Sequence, residues 1–335
     1  MKIYRVLALT ALVVIGCKKN NLPAISPDVI TESTLHDTDD PAIWVNKKDP
    51  SKSIVFGTDK DTDGAIYAFD LEGKIIESKT IRGLKRPNNV DLRYDFQLND
   101  STKVDVLAFT ERERQQIRLF SIPDMKPLDG GGFPVFTDVT APEQNLPMGI
   151  SLYHSEVDGA MYAIVGRKTG PLDGYLYQYI LKSDSLGVKA ELVRKFGKFS
   201  GKKEIEAIAV DDKEGIVYYS DEGAGIHKYY AEPSKGNEEL AFFGGEYFLD
   251  DIEGLCIADL PNGESYIIVS NQQNHSFVIF NKNTHEFVKE LNLSTQETDG
   301  CEIVTTSLTP VFKDGLFVAM NNDKRFFFYN LGKLL

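Results

Sequence analysis

The sequence predicts an all-β fold: a six-bladed β-propeller with four-stranded blades around a central channel. Three observations lead there. Short runs rich in Val, Ile, Tyr and Phe alternate with clusters of Gly, Asp, Asn and Pro, and little of the chain has helical periodicity. A strand ending in an aromatic recurs at roughly 50-residue intervals, a period that belongs to repeat architectures. It reads "IYAF" at Ile66, "IRLF" at Ile117, "LYQY" at Leu176, "IHKY" at Ile226, "FVIF" at Phe277 and "FFFY" at Phe326. Shortly before each lies a further strand and a polar turn, so a hairpin is repeated in every unit.

The chain begins "MKIYRVLALTALVVIGC", in which Lys2 and Arg5 precede an apolar run from Val6 to Ile15. That run is too short to span a bilayer and reads as an export leader. Gly16 followed at once by Cys17 is similar to a bacterial lipobox and predicts lipidation of Cys17, although Val14 stands where leucine is usual. Simple secretion with Cys17 incidental is the alternative. Residues 1–17 are assigned to a lipoprotein signal peptide, 18–26 to a polar tether and 27–335 to the propeller. The expected location is outside the cytoplasm, held to a bacterial membrane through the lipid only, on its periplasmic or cell-surface face.

The blades follow in order. First strands are "PAIWV" near Ala42, "NVDLR" near Asn89, "GISLY" near Gly149, "AIAV" near Ala207, "GLCIA" near Gly254 and "CEIVTT" near Cys301. Second strands start at Ile54, Val106, Tyr162, Ile216, Ile267 and Leu316, and the aromatic-ended strands are third. Fourth strands are "KIIESKTI", "FPVFTDV", "AELVRKF", "ELAFF" and "EFVKEL". The sixth blade has none, because the chain stops at "NLGKLL". Residues 27 to 35 are therefore expected to pair with its outer edge and close the ring, since an open edge would otherwise remain exposed.

Composition limits the partners. A hydrophobic fraction of 42% with 26% charged residues is ordinary for a globular chain, whereas a net charge of -13 and a pI near 5.0 argue against nucleic acid or an anionic membrane surface. A monomer is expected. Beyond Cys17, only Cys256 and Cys301 remain, both in apolar strand-like runs, so this is no disulfide scaffold. Buried free thiols are expected, with a bridge between them as the alternative.

In a propeller, the first strand of each blade lines the channel, and the loops leading into those strands share one rim. Acidic residues, with two asparagines, occupy that position repeatedly: Asp39 and Asp40, then Asn88, Asn89 and Asp91, then Glu204 and Glu206, then Asp250, Asp251 and Glu253, and finally Asp299 and Glu302. So dense a ring repels itself, at about 4 kcal/mol for unit charges 4 Å apart in an effective dielectric of 20. Hard oxygen donors without a His or Cys cluster select Ca²⁺ or Mg²⁺ over zinc. The hairpin turns of the same rim carry Lys60, Arg112 and Lys168 in the first three blades and Glu222 in the fourth. Metals on one group and bases on its neighbour suit a multiply phosphorylated ligand. Taken singly, each of these residues also reads as a solvated turn residue, and one calcium stapling the channel remains open.

At this point the residues carry a resemblance. "DDPAIWV", "NNVDLRYDF", "GISLYHS", "DIEGL" and "ETDG", in this order over nearly the whole mature chain, resemble the β-propeller phytases, calcium-dependent secreted phosphatases acting on inositol hexakisphosphate. The resemblance implies several calcium ions, with ligands at Asp39, Glu206, Glu222, Asp251, Glu253 and Asp299 and with Asp40 and Asn88 nearby. It places phosphate-binding bases at Lys60, Arg112 and Lys168, and a polar rim glutamine at Gln272. It also implies a 3-phytase type of activity on phytate or calcium-phytate, in which metal-bridged water attacks one phosphate while a second site anchors its neighbour. Lys60, Arg112, Glu206, Glu222 and Asp251 would then carry the catalysis. Two departures stand out: Met148 replaces a phosphate-contacting tyrosine, and the acidic segment before "ETDG" is short.

The chemistry is compatible with the residues independently of the family. Phosphate-monoester hydrolysis is among the slowest uncatalysed reactions, and two metals can serve it without a protein nucleophile. No Arg-His-Gly run is present, and neither Cys256 nor Cys301 is followed five residues on by arginine. A lactonase-type calcium propeller and a non-enzymatic surface-binding propeller remain as alternatives.

Overall fold

A computed structural model of the chain describes residues 21–185 and 187–335; the leader and Cys17 lie outside the described residues. Six four-stranded antiparallel sheets are arranged as blades. Their inner strands are Thr38–Trp44, Pro87–Asn99, Pro147–His154, Ile208–Asp211, Ile252–Asp259 and Cys301–Val304. The second and third strands form the repeated hairpins, from Ile54–Asp59 with Gly64–Phe69 in the first blade to Leu316–Asn321 with Arg325–Asn330 in the sixth. The helical pieces among the described residues are three-residue 3₁₀ turns.

The packing explains why these strands read as apolar runs rather than as alternations. Each middle strand is covered on both faces by neighbouring blades, so that all of Ile54–Asp59 and all of Gly64–Phe69 are buried. The core is thus divided into six layers between consecutive blades. Phe56 and Ile66 meet Leu92 and Phe109 between the first and second; Val106 and Leu119 meet Leu152 and Tyr177 between the second and third. The series ends where Val55 and Phe69 meet Val318 and Phe326, joining the sixth blade to the first.

That last joint is closed as expected. Val29–Ile30 forms the outer strand of the sixth blade, with Val29 opposite Phe328 and Ile30 opposite Phe327. Thr31 adds a backbone N–H to Phe326 O at 3.0 Å and accepts the Phe326 N–H at 2.9 Å. Part of the segment read as a tether is also fixed, since Ile25 N–H donates to Asn292 O at 2.8 Å and Asn292 Nδ2 to Leu22 O at 3.3 Å.

Two outer strands differ from expectation. In the first blade the edge strand is Ile81–Leu84, and part of "KIIESKTI" forms the 3₁₀ turn Glu77–Lys79 instead. In the second blade only Phe133–Pro134 pairs. The physical reason is visible there: Pro134 has no N–H to donate, and Val135 and Phe136 leave the edge to bury themselves between the second and third blades. Outer edges are held by few buried side chains, so their register is weakly specified.

Candidate active site at the channel mouth

Two repeated backbone devices build the mouth. The first is a bulge at the start of the inner strand, where pairing shifts register between Thr38 and Pro41, Pro87 and Val90, Pro147 and Ile150, and Ile252 and Leu255. The unpaired residues inside these bulges are Asp39 and Asp40, Asn88 and Asn89, Met148 and Gly149, and Glu253 and Gly254. Bulges re-aim side chains at the end of a ladder. The glycines are needed because the backbones crowd: a Cβ on Gly149 would stand 1.8 Å from Glu206 O, and one on Gly254 would stand 2.4 Å from Asp299 O.

The second device ends each second strand in a buried polar residue: Asp59, Glu111, Arg167, Asp221, Asn271 and Asn321. Each ties down the loop leading into its own blade. Asp59 Oδ1 accepts the N–H groups of His36 (3.0 Å) and Asp37 (2.7 Å), and Glu111 accepts that of Lys85 (2.7 Å). Arg167 donates to Gln144 O (3.4 Å), while Asp221 accepts from the N–H of Ser200 (2.6 Å). Asn271 accepts from Leu249 (3.1 Å) and Asn321 from Gln296 (2.7 Å). The residue immediately after this anchor is presented on the rim, and in the first five blades it is Lys60, Arg112, Lys168, Glu222 and Gln272.

The carboxylates converge. Oxygens of Glu206, Glu222 and Glu253 lie within 4.8 Å of one another. At that separation a pair of ionised groups repels by about 3 kcal/mol for an effective dielectric of 20. Burial, then the charges of Glu222 and Glu206, push Glu253 well above the usual carboxyl range. Burial with Glu206 and Glu204 pushes Glu222 up to about 9.

Beside this trio, Lys60 bridges Asp39 and Asp299, its ammonium 3.2 Å and 3.1 Å from their Oδ2 atoms. Burial alone would depress Lys60, but Asp39, Asp299 and Glu206 outweigh it and hold the ammonium protonated. Burial pushes Asp299 up to about 6 against the pull of Lys60. Asp39 is 1% exposed, is raised by the same desolvation, and has no hydrogen bond at Oδ2 besides its ion pair with Lys60. Gln272 Nε2 donates to Asp299 Oδ1 at 2.5 Å.

The remaining predicted residues join at the edges. Arg112 donates to Asn88 Oδ1 and lies 3.5 Å from Glu206 Oε1, to which Asn88 Nδ2 also donates at 3.1 Å. Asp251 is held by Gln273 and Lys203. Lys168 pairs with Glu204.

Asp40 goes elsewhere. Its Oδ2 accepts the Val90 N–H at 3.1 Å, and it lines a cavity of about 220 Å³ in the channel with Asp91, Arg93 and Glu302. Asp91 is a stitch between blades, accepting from Ser151 Oγ at 2.8 Å and Leu152 N–H at 2.7 Å. Met148 is 1% exposed, so it presents no exposed side chain to the mouth. Sequence reasoning missed Lys203 and Gln273, although each adjoins a residue it did single out, Glu204 and Gln272. It also missed the six anchors, whose common signal is a polar residue ending each second strand.

The donor set fits calcium: carboxylates and amide oxygens in number, no imidazole or thiolate in the Glu206, Glu222 and Glu253 cluster among the described residues, and a buried Asp39 oxygen lacking a hydrogen bond.

The fold and this mouth define a β-propeller whose rim gathers carboxylates beside Lys60 and Arg112. The chain belongs to the phytase family, whose model, described as Phytase, matches residues 10–325. It is a phosphoric monoester hydrolase. It is 33% identical over 302 residues to the 3-phytase of Bacillus subtilis (strain 168), covering 85% of this chain and 74% of that protein. The WD40 β-propeller domain of Doa1 superposes with a TM-score of 0.51 at 12% identity, over 86% of this chain and 77% of that one, a likeness of fold alone.

Proposed function

We propose that this protein is a calcium-dependent phytase that removes phosphate from myo-inositol hexakisphosphate, exported by its N-terminal leader and anchored through Cys17. The observation that carries the reading is the convergence of Glu206, Glu222 and Glu253 within 4.8 Å, beside a lysine held between two further carboxylates. Family membership and the Bacillus subtilis 3-phytase support the substrate.

Asp39, Glu206, Glu222, Asp251, Glu253 and Asp299 would hold the ions, with Asn88 as a neutral donor beside Glu206. Bound there, calcium would neutralise the acid ring and supply Lewis acidity to a phosphoryl oxygen and to an attacking water. Lys60 and Arg112, on adjacent blades, would meet the reacting phosphate and stabilise its developing charge. Arg112 is oriented for this by Asn88 and Glu206, and Lys60 by Asp39 and Asp299. Lys168, at the corresponding rim position of the third blade, would hold the neighbouring phosphate, and Gln272 would orient Asp299.

Phosphate release from phytate, measured in excess calcium and in excess chelator, tests this. Activity is expected only with calcium, and Glu206→Gln and Asp251→Asn should abolish it with modest change in stability. Full hydrolysis in chelator, or wild-type rates in both variants, would return the acids to a structural role.

A further inference from the structure

Cys256 and Cys301 stand on the inner strands of the fifth and sixth blades, 2% and 4% exposed, with their Sγ atoms 3.7 Å apart. Their meeting follows from the backbone. Inner strands of consecutive blades run in the same direction, and here they touch: Gly254 N–H donates to Asp299 O at 2.5 Å, and a Cβ on Gly254 would stand 2.7 Å from Cys301 N. Cys256 lies two residues beyond Gly254, and Cys301 two beyond Asp299, so the same register brings the two sulfurs face to face. Both line the channel cavity, together with Asp40 and Glu302.

We propose that Cys256 and Cys301 are a disulfide site, oxidised by thiol–disulfide exchange with a disulfide of the glutathione class or with the disulfide form of a thiol oxidoreductase. One thiolate attacks an oxidant sulfur and expels a thiolate, giving a mixed disulfide. The second cysteine then displaces the oxidant's remaining sulfur. Two S–H bonds are lost, one S–S bond forms, and two electrons and two protons leave with the oxidant as two thiols.

The bond would staple two blades that meet in their packing layer but share no ladder. It would also lock the strands that present Glu253 and Asp299. Burial and the adjacent sulfur push the Cys256 thiol up, so exchange is expected during folding or local opening rather than on the resting surface.

The test uses the full chain. It is refolded with oxidised glutathione or with a reductant, then alkylated, digested and mapped by mass spectrometry, with melting curves recorded in parallel. A peptide linking Cys256 to Cys301 is expected in the oxidised sample. Closing the 45-residue loop should raise the melting temperature by about 5 °C over the reduced form. Cys301→Ser and Cys256→Ala should remove both the link and the redox dependence of melting while remaining folded by circular dichroism. If one variant does not fold, the mapping of the wild type and the other variant decides. Both cysteines alkylated after oxidation, a link from either one to Cys17, or identical melting of oxidised and reduced protein would overturn the assignment.

Discussion

Substituting Glu222 with Gln separates the electrostatics of the mouth from its ion binding. Burial, Glu206 and Glu204 raise Glu222 to about 9 from an ordinary 4.5. The native chain therefore keeps a proton that the unfolded chain releases, and stability conferred by that proton is present below 4.5 and lost as pH rises through 9. At pH 7 the unfolded state has gained roughly 3 kcal/mol over the native one by this release. Glutamine cannot release it. In chelator at pH 7, Glu222→Gln should accordingly melt about 5 °C higher than wild type. The difference should close near pH 4.5 and widen toward pH 9. In excess calcium the order should reverse, because wild type gains about 4.1 kcal/mol when the ion stands at about 1,000 times its dissociation constant, more than the deficit in chelator, and the variant has lost a ligand. Scanning calorimetry at pH 5, 7 and 9, with and without calcium, reads all of this. Equal melting of the two proteins in chelator at pH 7, or an equal gain from calcium in both, would refute the clustering argument.

Three further outcomes are expected. Lys60→Ala leaves Asp39 and Asp299 facing each other without their cation, so it should lower melting in chelator, retain stabilisation by calcium, and reduce turnover of phytate by roughly 10²- to 10³-fold in a phosphate-release assay. Met148→Tyr enlarges a buried side chain and should cost about 1–3 kcal/mol in denaturant titration, with kcat/KM for phytate and for a simple monophosphate changing together. A selective gain on phytate would show that position 148 reaches the mouth after all. Deleting residues 27–35 removes the Val29 and Ile30 pairings that close the sixth blade and should lower the melting temperature more than deleting 18–26.

The repeat was legible because a propeller writes it in the covalent chain. Each middle strand is buried on both faces, so its apolar run and aromatic end survive in every blade, as "IYAF" and "FFFY" show. Ring closure followed from counting: five fourth strands and a missing sixth leave one edge for the N-terminal segment. The outer strands of the first two blades were less legible, since an edge facing solvent needs little apolar content and its register can shift at small cost.

Local sequence also put acids and bases on one rim, because their distance from each strand is constant along the chain. It could not say which acids meet. Asp39 and Asp40 are neighbours in one bulge, yet one is bridged by Lys60 and the other lines the channel with Glu302. The choice depends on how a ladder breaks at the start of an inner strand, and on backbones from neighbouring blades crowding Gly149 and Gly254. Likewise, Glu206, Glu222 and Glu253 come from two blades and converge only when those blades pack together. The repeat, the closing segment and the inventory of charges were therefore set by the sequence itself, through periods that act within one strand or one hairpin. The pairing of those charges was decided by the tertiary structure, because distances between blades come from packing layers and register shifts that no single repeat contains.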